Sequence, residues 1–177
     1  GKIKIAVCGF YELFLNGNKI TKGYFAPYIS NTNDYIYYDE YNVTLDLGEN
    51  VIGILLGNGY QNNPGGYIWD FDKATFRSAP MVALTLEYRN NDGVITVIKT
   101  DNSFKVYPSP IVFDDYRFGE NYDANLEIEC WNEKKFDDSL WQNAIETEAP
   151  NGEFKLCEAE PIVKETEIKP VQILKEQ

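Results

Sequence analysis

Acidic residues lie close together at Asp114-Asp115, at Glu120 and Asp123, and at Asp137-Asp138. Two carboxylates about 5–10 Å apart can serve as the acid and base of glycoside cleavage. Each of these groups is bounded by turn residues, on a chain with a formal net charge of −12. On so acidic a chain such carboxylates ordinarily sit in water, so none is assigned a catalytic role. The chain contains no histidine, which excludes histidine triads, histidine-zinc sites and imidazole proton transfer. Cys8, Cys130 and Cys157 are widely spaced, with no paired-cysteine metal motif.

The stretch from Gly57 to Pro80 combines aromatic rings with short oxygen-bearing side chains. Tyr67 and Trp69 are suited to stack on the apolar face of a sugar ring. Asn62, Asn63, Asp70 and Asp72 are suited to grip hydroxyl groups, or a calcium ion, to which Asn31 would also contribute. The competing reading makes Trp69 and Phe71 a local hydrophobic plug under a long loop. Glu120, Tyr122 and Asp123 form a second set. Their carboxylates either accept backbone N–H bonds that fix a tight loop, or line the rim of a neighbouring pocket.

The elements that must position these residues read as strands. Helical periodicity is nearly absent, and short alternating or β-branched runs are separated by Asn, Gly, Asp and Pro clusters. Strands are expected at Lys2 to Val7, Tyr11 to Leu15, Lys19 to Tyr24, Tyr35 to Asn42, Asn50 to Leu56, Met81 to Tyr88 and Val94 to Thr100. Short late strands follow at Phe104 to Tyr107 and Ile111 to Asp114. Asn16-Gly17 supplies the positive φ values of a hairpin turn. Val51, Ile52, Ile54, Leu55, Leu84 and Leu86 are expected in the core. Tyr35, Tyr37 and Tyr41 share one strand face and Tyr38 takes the other, which fits packing between sheets better than a sugar platform. One turn of helix is expected at Asp137 or Asp138. The fold class is therefore an all-β antiparallel two-sheet sandwich of 177 residues with a 44% apolar composition. The acidity argues against nucleic-acid and anionic-membrane partners.

Several stretches, in order, resemble the N-terminal domain of bacterial α-L-rhamnosidases, glycoside hydrolase family 78. They begin with Gly9-Phe10-Tyr11-Glu12-Leu13-Phe14-Leu15-Asn16-Gly17 and Phe25-Ala26-Pro27. Tyr41-Asn42-Val43-Thr44, Gly48-Glu49-Asn50-Val51-Ile52-Gly53 and Leu55-Leu56-Gly57-Asn58-Gly59-Tyr60 follow. The last are Gly119-Glu120-Asn121-Tyr122-Asp123-Ala124, the segment from Trp131 to Trp141, and Ile168-Lys169-Pro170-Val171.

The resemblance implies a jelly-roll sandwich of the galactose-binding-like type, over residues 1–157, with 158–177 as a linker or first strand of a further domain. It implies a non-catalytic partner of a helical catalytic barrel and a neighbouring β-sandwich in the same polypeptide. It also implies kinship with carbohydrate-binding module family 67, in which calcium contacts L-rhamnose directly. In that comparison Asn31-Thr32, near Asp34, stands where the calcium-binding pair would be, but supplies no anionic oxygen. L-rhamnose-containing glycans are the ligands implied. The unpaired cysteines favour a cytoplasmic over a secreted parent enzyme.

Overall fold

The computed structural model describes residues 1–63 and 70–172. Strand β1 (Lys2–Cys8) lies at the centre of a five-stranded sheet ordered β12-β4-β1-β6-β7, with β4 at Tyr35–Asn42, β6 at Met81–Arg89, β7 at Ile95–Lys99 and β12 at Glu153–Leu156. A three-stranded sheet, ordered β3-β2-β5, is built from β2 (Phe10–Leu15), β3 (Asn18–Lys19) and β5 (Ile52–Gly57). Two short ribbons complete the described strands: β9 (Ile111–Asp115) with β10 (Gly119–Tyr122), and β8 (Lys105–Val106) with β11 (Gln142–Asn143). The expected antiparallel all-β sandwich is thus present. One pair departs from it, because β12 joins β4 in parallel.

Period-two alternation sets the core. Ile3, Ile5 and Val7 of β1 pack with Tyr11, Leu13 and Leu15 of β2 and with Leu84 and Leu86 of β6. Leu13 is wholly enclosed, and burying such a side chain contributes about 1.5–3 kcal/mol. In β5 the partners of Tyr11, Leu13 and Leu15 are Leu56, Ile54 and Ile52, and these turn toward the core. Leu55 pairs with Glu12 and takes the opposite face, where it is half-buried. The expectation of Leu55, and of Val51, in the core is corrected accordingly, since both are half-buried and neither packs in the core cluster. A continuous apolar run conceals which residues face inward, and only the register against β2 decides it.

That outer face is not bare. The Phe14 and Trp131 rings meet edge to face with centroids 5.6 Å apart, and Trp131 and Asn132 lie over Gly53. A Cβ at position 53 would stand 2.6 Å from Asn132 Cβ and 2.9 Å from the indole. Glycine is what admits so close a cover. No helix forms at Asp137; its carboxylate accepts the Ser139 N–H at 3.0 Å and makes a turn instead. The strand expected from Lys19 to Tyr24 is cut short at Lys19. The Thr21 hydroxyl replaces a backbone carbonyl as acceptor of the Leu13 N–H, at 2.6 Å.

Candidate functional site

At one end of the sandwich the start of the long loop is fastened to ribbon β9-β10. The Asp114 carboxylate accepts the Asn58 backbone N–H at 2.9 Å and the Asn58 amide at 3.0 Å. Asp115, nearly fully buried, accepts the N–H groups of Arg117 and Phe118 at 2.7 and 2.9 Å. Asp114 and Asp115 therefore hold the ribbon and its turn. Above them Tyr60 meets Tyr116 at 4.5 Å and Phe71 at 5.3 Å between ring centroids. Phe10 and Phe25 extend this cluster, 5.4 Å from each other.

Tyr67 and Trp69 lie outside the described residues. Asn62 donates to Asn58 Oδ1 at 2.7 Å, and Asn63 is buried. Asp70 pairs with Lys73 at 2.9 Å on the exposed surface, beside Asp72 in the 3-10 turn Phe71–Lys73. Asn31 Nδ2 donates to Asp34 at 2.8 Å while Asn31 Oδ1 accepts the Asn33 N–H at 3.1 Å. Thr32 turns inward and donates to Gln61 Oε1 at 3.0 Å. Gln61 in turn donates to Phe76 O and Ser78 Oγ, which ties the loop's two ends together. Among the described residues no group of three or more His, Cys, Asp and Glu side chains is placed to hold a metal ion.

Asp123 caps the 3-10 turn Ala124–Leu126, accepting the Asn125 backbone and side-chain N–H groups at 3.0 and 2.8 Å. This is the loop-fixing role. Tyr122 and Glu120 stand on the exposed strand β10, and the neighbouring Glu127 carboxylate raises the pKa of the Tyr122 phenol.

A groove that sequence reasoning missed opens between the two sheets beside β4. It has a volume of about 520 Å³. Its rings include Phe10, Tyr24, Phe25, Tyr28, Tyr41 and Tyr116, and Cys157 and Ile162 close the far side. Asp39 lies in its wall, accepting a hydrogen bond from the Tyr11 hydroxyl at 2.6 Å; that hydroxyl also meets Tyr41 Oη at 2.8 Å. Burial pushes the Asp39 carboxyl above the usual range, against hydrogen bonds from Tyr11 and Cys157 that pull it down. The Tyr41 phenol is pushed up to about 12, chiefly by burial. Alternation along β4 was the available signal. Asp39 and Tyr41 share the face of Tyr35 and Tyr37, and a carboxylate on an inward face needs partners.

The sequence of residues 1–166 matches the family described as α-L-rhamnosidase N-terminal domain. An α-L-rhamnosidase of Formosa agariphila is 35% identical over 152 residues, which is 82% of this chain and 16% of that protein. One of Streptomyces avermitilis is 27% identical over 92% of this chain and 16% of its own length. Among solved structures, the α-L-rhamnosidase of Dictyoglumus thermophilum superposes with a TM-score of 0.86 at 32% identity, over 97% of this chain and 18% of that one. The Streptomyces avermitilis α-L-rhamnosidase complexed with L-rhamnose gives 0.77 at 25% identity, over 85% of this chain and 15% of that one. The chain thus spans about one sixth of the length of its relatives, and it belongs to the α-L-rhamnosidase N-terminal domain family.

Proposed function

We propose that the domain is a non-catalytic accessory module of an α-L-rhamnosidase. It packs against the catalytic helical barrel and the neighbouring β-sandwich of the same polypeptide, and contributes to recognition of L-rhamnose-containing glycans. The reading rests on the family match over residues 1–166, on a chain that spans 16% of its relatives. The consumption of Asp114, Asp115 and Asp123 by local hydrogen bonds agrees with it. So does the apolar surface of ribbon β9-β10 and its turn, where Val112 and Phe118 are more than half exposed. Rings and β-branched side chains grouped in this way are normally covered by another surface.

Removing residues 1–166 from the full-length enzyme tests this. The truncated enzyme should unfold at a temperature several degrees lower, and kcat/KM for an aryl α-L-rhamnoside should fall. Unchanged melting and unchanged kinetics would overturn the supporting role. The calcium-assisted L-rhamnose-binding alternative, with Asn31, Asp70 and Asp72, has no support among the described residues, where Asn31 is bonded to Asp34 and Asp70 to Lys73 and no three His, Cys, Asp or Glu side chains are placed to hold a metal ion. Calorimetric titration of the chain with L-rhamnose, with and without calcium, separates it from the accessory reading.

A further inference from the structure

The groove between the sheets lies outside the long loop and has a lining of two kinds. Tyr24, Phe25, Tyr28 and Tyr116 expose ring surface to it, each between 44% and 58% accessible. Rings so displayed offer flat apolar contact area. The wall is polar, with the Asp39 carboxylate and the Tyr41 hydroxyl held in fixed positions by Tyr11. Both are anchored by other protein groups, so neither must be reoriented when a ligand arrives.

Charge selects the ligand further. Glu40, which also lines the groove, is bonded to Lys2 and Lys4 at 3.1 Å each. Among the other lining residues the charged ones are Lys22 and Asp39, and these cancel. The groove therefore presents ring faces and hydrogen-bonding groups with no excess of either charge. Its volume of about 520 Å³ lies within the range of roughly 300–1,000 Å³ of small-molecule sites. Neutral molecules with apolar C–H faces and a rim of hydroxyl groups match both parts of the lining, and those are sugars in the pyranose form.

We propose that this groove is a metal-independent binding site for a neutral pyranose sugar, with the Tyr28 and Tyr116 rings against its C–H face and Asp39 accepting from a hydroxyl. The proposal gives the glycan recognition proposed above a place on this chain and rests on that reading, while the supporting role is tested separately by the truncation. A shallow site of this sort binds weakly, since each neutral hydrogen bond nets only about 0.5–1.5 kcal/mol.

Chemical shifts of the ¹⁵N-labelled chain are followed while L-rhamnose is titrated to 100 mM or so, in EDTA. Parallel titrations use D-glucose, arginine and a proline-rich peptide. The expected result is saturable movement of the amides of Phe25, Tyr28, Tyr41 and Cys157 with at least one sugar. Tyr28→Ala and Asp39→Asn should each weaken that binding fivefold or more. Thermal melts of both variants confirm that they are folded, and the wild-type map decides the matter if either is not. No movement with either sugar, or movement confined to residues 57–63 and 70–80, overturns the proposal. Response to arginine alone, or to the peptide alone, overturns it in favour of a cationic or polypeptide occupant.

Discussion

The Thr32 hydroxyl and the Gln61 carboxamide meet in a place where neither reaches water. Removing one partner of a buried hydrogen bond exposes the full desolvation cost of the other, about 1–3 kcal/mol. Thr32→Val keeps the shape and removes the donor, so it should lower unfolding stability in urea by that amount. Thr32→Ser should recover most of it. Asp39 makes a prediction of the opposite kind. Its folded-state pKa lies above the ordinary carboxylate value of 3.8 because of burial, so the folded protein holds this proton more tightly than the unfolded chain does. The associated stabilisation is complete below about pH 3.8 and is lost as pH rises through the folded-state pKa. Glu40 and Asp46 act in the reverse sense, since their lysine partners depress their pKa values and their contribution fades as pH falls. The informative quantity is therefore a difference. Relative to Asp39→Asn, the wild type should lose stability as pH rises from 3.5 to 7, measured by denaturant unfolding at each pH.

At the scale of elements, β4 was read at its observed limits, because four tyrosines and an isoleucine between turn clusters leave little else for Tyr35–Asn42 to be. Strands β1, β6 and β7 were read within one or two residues for the same reason. Strands β10 and β12 were not legible. Gly119–Tyr122 carries turn-forming residues, and Glu153–Leu156 sits in an acidic stretch. Both are strands because partners already in place supply the hydrogen bonds. The loop-fixing part of the Asp123 motif was legible, because a short-range Asx bond depends on local sequence alone. The groove was not, because it brings together Tyr24, Asp39, Tyr116 and Cys157, which are distant along the chain. The two faces of β2 and β5 provide the measurable consequence. Leu13→Ala, in a wholly enclosed position, should cost about 2–5 kcal/mol. Leu55→Ala, on the half-buried outer face, should cost about 1 kcal/mol. Equal costs in urea unfolding would mean that the register of β5 against β2 is wrong.

For the whole molecule the sharpest question is whether the chain alone can cleave a glycoside. Two carboxylates with pKa values driven apart are the usual mark of an acid and base pair. The groove holds one such pair on its lining, since burial raises Asp39 and lysine contacts depress Glu40. Geometry removes them as partners. They are consecutive residues of β4, so their side chains leave opposite faces of the sheet and cannot flank one bond. Asp39 faces Tyr11 between the sheets, while Glu40 is bound to Lys2 and Lys4. Asp114, Asp115, Asp123 and Asp137 each accept hydrogen bonds that shape a loop or turn. The purified chain is therefore expected to release no nitrophenol from 4-nitrophenyl α-L-rhamnoside above the buffer background between pH 4 and 8. Release that disappears in Asp39→Asn or Glu40→Gln would show that the groove performs the chemistry itself, and the non-catalytic reading would fall.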